Sequence, residues 1–391
     1  MSDHQSNRLF RKGRYEEAAL SLKKGLEKQG ETGRDLLLYL LDLGLAYHAA
    51  GQYQLSNQFF LKADQVAEIK DYTSLAKETA TILITDRIKD YRAEDFENVL
   101  ISTYLAMNYA LMGNFEDCLV EARRVNHKLF MMVSEGKRQY QQSAFARYFS
   151  AMAYEAAGNY EDASIDYQHA WKLRSDIPGI GEMLWKCAYE LHDRADMERW
   201  DQVFQLNAEH HRHALLANSR SPRGEIVVIY ENGISPAKRP NPHLESIPEF
   251  YPRFNPVSHA RIFLDGSLQG RTFPLENIEF MAIENLKEKY AGLIAKKVGG
   301  LVAKVGAGAL VGKKTNNLFL GFLVLHLLDR ADQADLRSWN LLPKDLQIFR
   351  VAVMPGQYVL RISPEGGSSF TEKKIQVYEH KKTFVNVRYM P

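Results

Sequence analysis

Apolar residues recur every three or four positions through most of the first half of the chain, and each such run stops at a glycine before another begins. Four of these stops share one pattern: a glycine, an aromatic residue two positions later, and a small residue three beyond that. They are Gly13, Tyr15 and Ala18; Gly51, Tyr53 and Ser56; Gly113, Phe115 and Cys118; Gly158, Tyr160 and Ala163. Glycine lets one helix end in a conformation other residues avoid, and the small residue admits close contact as the next helix folds back. Ahead of the last three glycines, Leu43-Gly44 and Tyr47, Leu105-Ala106 and Tyr109, and Ser150-Ala151 and Tyr154 fall on one helical face. Phe60 with Ala63, Ala122 with Val125, and Tyr167 with Ala170 continue the stripe after the turns. Three complete helix-turn-helix units and one shorter first unit are expected, followed by helices over 181–192 and 197–206 that cap the stack.

The pattern changes after residue 210. Seven prolines between Ser219 and Pro256 exclude a helix and predict a linker or extended arm over 211–256, with a short strand at Glu225–Tyr230. Period-two alternation then predicts strands at 260–264, 273–282, 347–353, 358–362, 374–378 and 383–389, the last with one face toward water. Between them, residues 283–330 read as a helical insertion in which Gly292, Ala295, Gly299, Ala303 and Gly306 draw a stripe of small side chains down one side. The expected architecture is multidomain α and β: an α-solenoid over 1–210, the arm over 211–256, and a small antiparallel β-sandwich over 257–391 carrying the glycine-rich insertion.

Composition narrows the function more than the fold. Fifty basic against 48 acidic residues leave a formal charge of +2, so the total supplies no field for nucleic acid. Two cysteines on helices far apart in sequence, Cys118 and Cys187, read as packing residues. No apolar run lies in residues 1–7, so the sequence shows no secretory signal, although the short helix before Gly13 suggests a repeat entered midway. The 11-residue apolar run 318–328 is too short to cross a bilayer.

The hinge and stripe residues resemble the tetratricopeptide repeat (TPR) family over residues 7–178, with Pro178 closing the last unit. Hinge spacings of 38, 62 and 45 residues make the array irregular beside a 34-residue period. Asp95-Phe96-Glu97 leading into Tyr104–Tyr109, Val120–Arg124, Gly224–Val228 and Asp335-x-Arg337-Ser338-Trp339-x-x-Leu342-Pro343 also resemble a little-characterised bacterial group of repeat-containing envelope lipoproteins. That resemblance implies a cell-envelope location on the periplasmic side, lipid-anchored through an upstream cysteine; the cytoplasm is the alternative. It implies no enzymatic activity.

Candidate chemistry is sparse. Gly306–Thr315 has the wrong spacing for a phosphate-binding loop, with Ala307 at the required glycine, and His210 and His213 lack recognised partner ligands. No catalytic motif, cofactor or metal site is expected. In the repeat groove, Tyr47, Tyr109, Tyr154, Arg123 and Arg124 are the candidate contacts for a protein or peptide partner, by aromatic burial and charge-assisted hydrogen bonds. Asp335, Arg337 and Trp339 form a corner that is either a domain interface or a ligand site. The small-residue stripe is read as a buried hairpin or as a membrane-contacting or self-associating surface. The expected function is a non-catalytic interaction scaffold in an envelope assembly; the alternatives are an oligomerising membrane-associated component and an enzyme or ligand sensor.

Overall fold

A computed structural model describes residues 4–30, 32–77, 90–134, 142–206, 222–242, 248–288, 334–367 and 369–391. Its helices pair as α1 (His4–Arg11) with α2 (Tyr15–Gln29), α3 (Leu36–Ala49) with α4 (Tyr53–Lys77), α5 (Asp95–Leu111) with α6 (Phe115–Ser134), α7 (Ala144–Ala156) with α8 (Tyr160–Leu173), and α9 (Ile180–Glu190) with α10 (Arg194–Phe204). The four hinge glycines adopt φ between 72° and 76°, the left-handed region that a side chain would strain. Each hinge closes alike, the residue after the glycine donating its N–H to the carbonyl five residues back, as in Gln52 to Tyr47 and Asn114 to Tyr109, both at 2.9 Å. The small residues Ala18, Ser56, Cys118 and Ala163 are all fully buried. A fifth hinge escapes the sequence pattern because His192, at φ 57°, stands where glycine would; Asp193 closes it onto Ala188.

Strands β1 (Gly224–Asn232), β2 (Ala237–Pro240), β3 (Pro248–Tyr251), β4 (Ala260–Leu264), β5 (Ser267–Arg271), β6 (Phe273–Asn277), β7 (Asp345–Val353), β8 (Gly356–Pro364), β9 (Thr371–Val377) and β10 (Lys382–Tyr389) follow. One four-stranded sheet runs β10-β1-β7-β6, a second β5-β4-β8-β9, and β2 pairs with β3. The segment expected as an extended arm therefore supplies β1, hydrogen-bonded on both sides. The first sheet is not wholly antiparallel, since β1 pairs with β10 in parallel, Glu225 opposite Lys382 through Asn232 opposite Tyr389. Residues 278–282, expected as strand, begin a helix over 278–288, α11. The glycine-rich segment from Gly292 to Gly306 and the histidines at 210–213 lie outside the described residues.

β1 shows how the parts join. Ile226, Val228 and Tyr230 pack with Ile262, Leu360 and Val385 between the two sheets. The alternate residues Val227 and Ile229 join Leu275, Ile348 and Phe384 in a cluster continuous with Phe60, Tyr104 and Phe149 of the helices. The first sheet is thus covered on both faces, and its outer face is the floor on which α3, α5 and α7 rest. That is why the polar members of β10, expected to face water, do not: Asn386 is only 6% exposed.

Candidate functional site: the face shared by the helices and the sheet

The first helices of the hairpins present polar side chains to the sheet, and the sheet answers with charge. His48 near the end of α3 sits between Asn108 of α5 and Glu231 of β1: its Nδ1 is 2.5 Å from Asn108 Oδ1 and its Nε2 is 2.9 Å from Glu231 Oε1. Asn108 turns its oxygen to the ring because its Nδ2 donates to Ser56 Oγ and Asn57 Oδ1. His48 Nε2 also lies 2.9 Å from Asn386 Nδ2, so the ring is enclosed by Asn108, Glu231 and Asn386. Glu231 also accepts from Tyr104 at 2.8 Å and Asn386 at 2.7 Å. Burial opposes its ionisation, yet His48, Arg388 and Asn386 hold the carboxyl down at about 2.

A second cluster joins α7 to the same sheet. Glu155 accepts from Tyr167 and Lys186 at 2.7 Å and from Arg350 Nη2 at 2.8 Å, with Lys382 Nζ at 3.1 Å. Arg350 also binds Glu225 at 2.5 and 2.9 Å and Tyr167 at 2.7 Å, and Lys382 binds Glu225. Against the cost of burial, Lys382, Arg350 and Lys186 hold Glu155 well below the usual carboxylate range, and Arg350 and Lys382 hold Glu225 at about 2. Farther along, Glu276 of β6 accepts from Ser143, the residue capping α7, and burial pushes it up to about 7.

The Asp335–Trp339 corner lands on the first complete hairpin. Arg337 binds Asp335 at 2.7 Å and reaches Asp35 before α3 at 2.9 Å. Trp339, 1% exposed, lies against Phe60 and Tyr104, and its backbone N–H donates to Glu97 at 3.2 Å. Glu97 accepts further from Tyr91 and from the N–H of Glu94 as part of the α5 capping box; burial and the charge of Glu94 push it up to about 7.

The five candidate groove residues are not gathered into one open surface. Tyr47 is 9% exposed and stacked on Phe59, Tyr154 is buried, and Tyr109 is half-buried. Arg124 is committed to Asp64 at 2.9 Å, Glu121 at 3.3 Å and Glu68 at 3.5 Å. Arg123 bonds Tyr154 yet remains exposed. The residues that face the sheet are one position away, His48 beside Tyr47, Asn108 beside Tyr109 and Glu155 beside Tyr154. One step along a helix turns a side chain by about 100°. The sheet covers the helix face that these neighbouring residues line. Its polar residues left one trace in the sequence, being charged or amide positions inside otherwise apolar helical runs, matched by Glu225, Glu231, Arg350 and Asn386 on strands.

Among the described residues no group of three His, Cys, Asp or Glu side chains is placed to hold a metal, and no helix is long and apolar enough to cross a membrane. No family model matches the chain and no curated protein matches it in sequence. Similar solved structures include MamA, at 13% identity and TM-score 0.35 over 54% of this chain and 90% of that one. A Podosopora anserina putative kinesin light chain with nearly identical TPR-like repeats is 14% identical with TM-score 0.35, over 55% and 93%. A tetratricopeptide repeat protein from Parabacteroides merdae is 16% identical with TM-score 0.35, over 55% and 73%. Likeness at this level speaks to neither partner nor activity.

Proposed function

We propose that this chain is a non-catalytic protein-interaction scaffold whose helical hairpins are braced from inside by its own sheet and whose partner docks on the outer helices. The observation that carries this reading is α6. Val120, Arg123, His127, Phe130 and Met131 share one face by helical spacing and all are exposed, Phe130 to 64%. Exposed single apolar residues are ordinary, but three on one helix face beside an arginine make an anchor for an acidic, amphipathic peptide or helix. Arg123 is thus retained as a partner contact and Arg124 is not. The setting proposed is a bacterial cell-envelope assembly, with the chain on the periplasmic side and lipid-anchored in its native form, which rests on the sequence resemblance.

A photo-crosslinking amino acid at His127, compared with one at the exposed Lys374 of β9, tests this in the native organism. Adducts are expected from position 127 alone, in the envelope fraction, and lost in the double variant Arg123→Glu, Phe130→Ser. Equal adducts from both positions, or their survival in the double variant, would remove α6 as the docking face.

A further inference from the structure

The second sheet turns one face to the first sheet and the other to solvent. Ile262, Leu264, Leu360 and Ile362 point into the core between the sheets, so the alternate residues Arg261, Phe263 and Arg361 point out. The strand register places Arg271 opposite Arg261, Leu268 opposite Phe263, Glu372 opposite Arg361 and Lys374 opposite Val359 on that outer face.

Two independent features set this face apart. The first is charge. Arg261 and Arg271 stand directly across from each other on β4 and β5, and like charges in that position weaken a strand pair. The carboxylates within reach are already taken. Glu372 pairs with Arg361 at 3.0 Å, Glu365 at the margin pairs with His259, and Asp265 accepts from the Val359 N–H at 2.8 Å. Among the described residues no side chain pairs with Arg261, Arg271 or Lys374. A like-charge pair kept without an internal counter-ion breaks a local rule of sheet stability, as functional surfaces do. The second feature is apolar exposure. Leu268 on β5 is 60% exposed, and Phe370, just before β9, is 56% exposed. They stand at opposite edges of the sheet, three strands or about 14 Å apart, with Arg261 and Arg361 on the strands between.

We propose that this face lies on an anionic lipid surface. Arg261 and Arg271 meet headgroup phosphates, and Leu268 and Phe370 enter the boundary beneath them. Shape selects a membrane over other anions. A peptide helix needs a continuous apolar groove, whereas here the two large apolar side chains are separated by charge. Single-stranded nucleic acid needs open rings to stack on, whereas Phe263 is half-buried and Phe370 already carries the Arg361 guanidinium 4.6 Å from its centroid. An extended plane reaches both edges at once and takes cations and apolar side chains together. The face is separate from α6, and it needs no lipid anchor to be tested. Lys374 meets lipid and not protein on this reading, so it remains a control for protein adducts.

The test is sedimentation of the full chain with vesicles of equal parts phosphatidylglycerol and phosphatidylcholine, beside vesicles of phosphatidylcholine alone. Binding is expected to the mixed vesicles only, and to weaken as salt rises. Arg261→Gln and Arg271→Gln are each expected to weaken it about fivefold, the worth of one cation at an anionic surface. Leu268→Ser is expected to weaken it as well, by removing an apolar side chain from the boundary. All three positions are exposed and Arg271→Gln relieves the like-charge pair, so melting temperatures are expected to hold or rise. Equal binding to neutral vesicles, no binding to mixed vesicles at low salt, or binding unchanged in the double variant Arg261→Gln, Arg271→Gln would overturn the proposal. Release from the vesicles by soluble polyglutamate as effective as release by added lipid would overturn it too, by making an acidic protein the occupant. None of these outcomes bears on docking at α6.

Discussion

Glu155→Gln is the substitution that most directly asks whether buried charge fastens the helices to the sheet. Glu155 meets four donors, three of them cationic: Lys186, Arg350 and Lys382, with Tyr167 as the fourth. Glutamine keeps the shape but leaves three cations facing Glu225 alone. Lys186, whose side chain is 34% exposed, can turn to water, whereas Arg350 and Lys382, at 9% and 7%, cannot. Removing one partner from a buried ion cluster costs about 3–5 kcal/mol, chiefly as the penalty on charges left behind. Urea unfolding is expected to show that loss at pH 7, with about 1 kcal/mol regained on adding Lys382→Met, which removes one stranded charge. The effect has a pH signature. Glu155 is held below its ordinary value, so the stability it contributes is present above about pH 4.5 and is lost as pH falls through its lower folded value. The gap between wild type and variant is thus expected to close in acid. A loss under about 1 kcal/mol at pH 7, or a gap that stays constant down to pH 2, would refute the bracing role.

Two carboxyls behave in the opposite sense. Glu97 and Glu276 are both raised to about 7 by burial, so the stability they contribute is complete below about pH 4.5 and is lost as pH rises through 7. The free energy of unfolding is expected to fall from pH 5 to 8, by up to about 3 kcal/mol per group, and its pH dependence to flatten in the double variant Glu97→Gln, Glu276→Gln. A Cβ at Gly224 would meet the backbone oxygen of Tyr378 at 2.2 Å, whereas one at Gly44 would meet the Phe60 ring at 2.6 Å. Gly44→Ala is expected to cost about 1–3 kcal/mol and Gly224→Ala more, because a ring can shift and a paired strand cannot; the reverse order in thermal unfolding would contradict this packing. Trp339→Ala is expected to cost about 3–5 kcal/mol and to blue-shift nothing else in the tryptophan spectrum, since Trp171, Trp185 and Trp200 lie in other hairpins; an unchanged melting temperature would contradict its place in the core.

The hinges were legible because their chemistry is local. A left-handed glycine, an aromatic and a small residue lie within six positions, and α3 through α8 follow from them. The His192 hinge was hidden because the same backbone closure was built without glycine. Most strands were legible from alternation, but β5 was not, having Gln269 and Gly270 and only one large apolar residue, Leu268. The β2–β3 pair lay within a proline-rich stretch whose strands begin or end on Pro240 and Pro248. Polar alternation in β10 was misread for a physical reason: a strand pattern shows which residues share a face but not what covers that face.

The sequence by itself determined the hairpins, their turns and the residues that pack within each one, since all of these act over a few turns of helix. It also marked Asp335, Arg337 and Trp339 as belonging together. Only the tertiary structure decided that the inner face of the hairpins is closed, because the pairs that close it are far apart along the chain. His48 and Glu231 are 183 positions apart, Glu155 and Arg350 195, and Glu97 and Trp339 242. A buried charge is stable only beside its partner, so neither half of such a pair states its role until the fold brings both together.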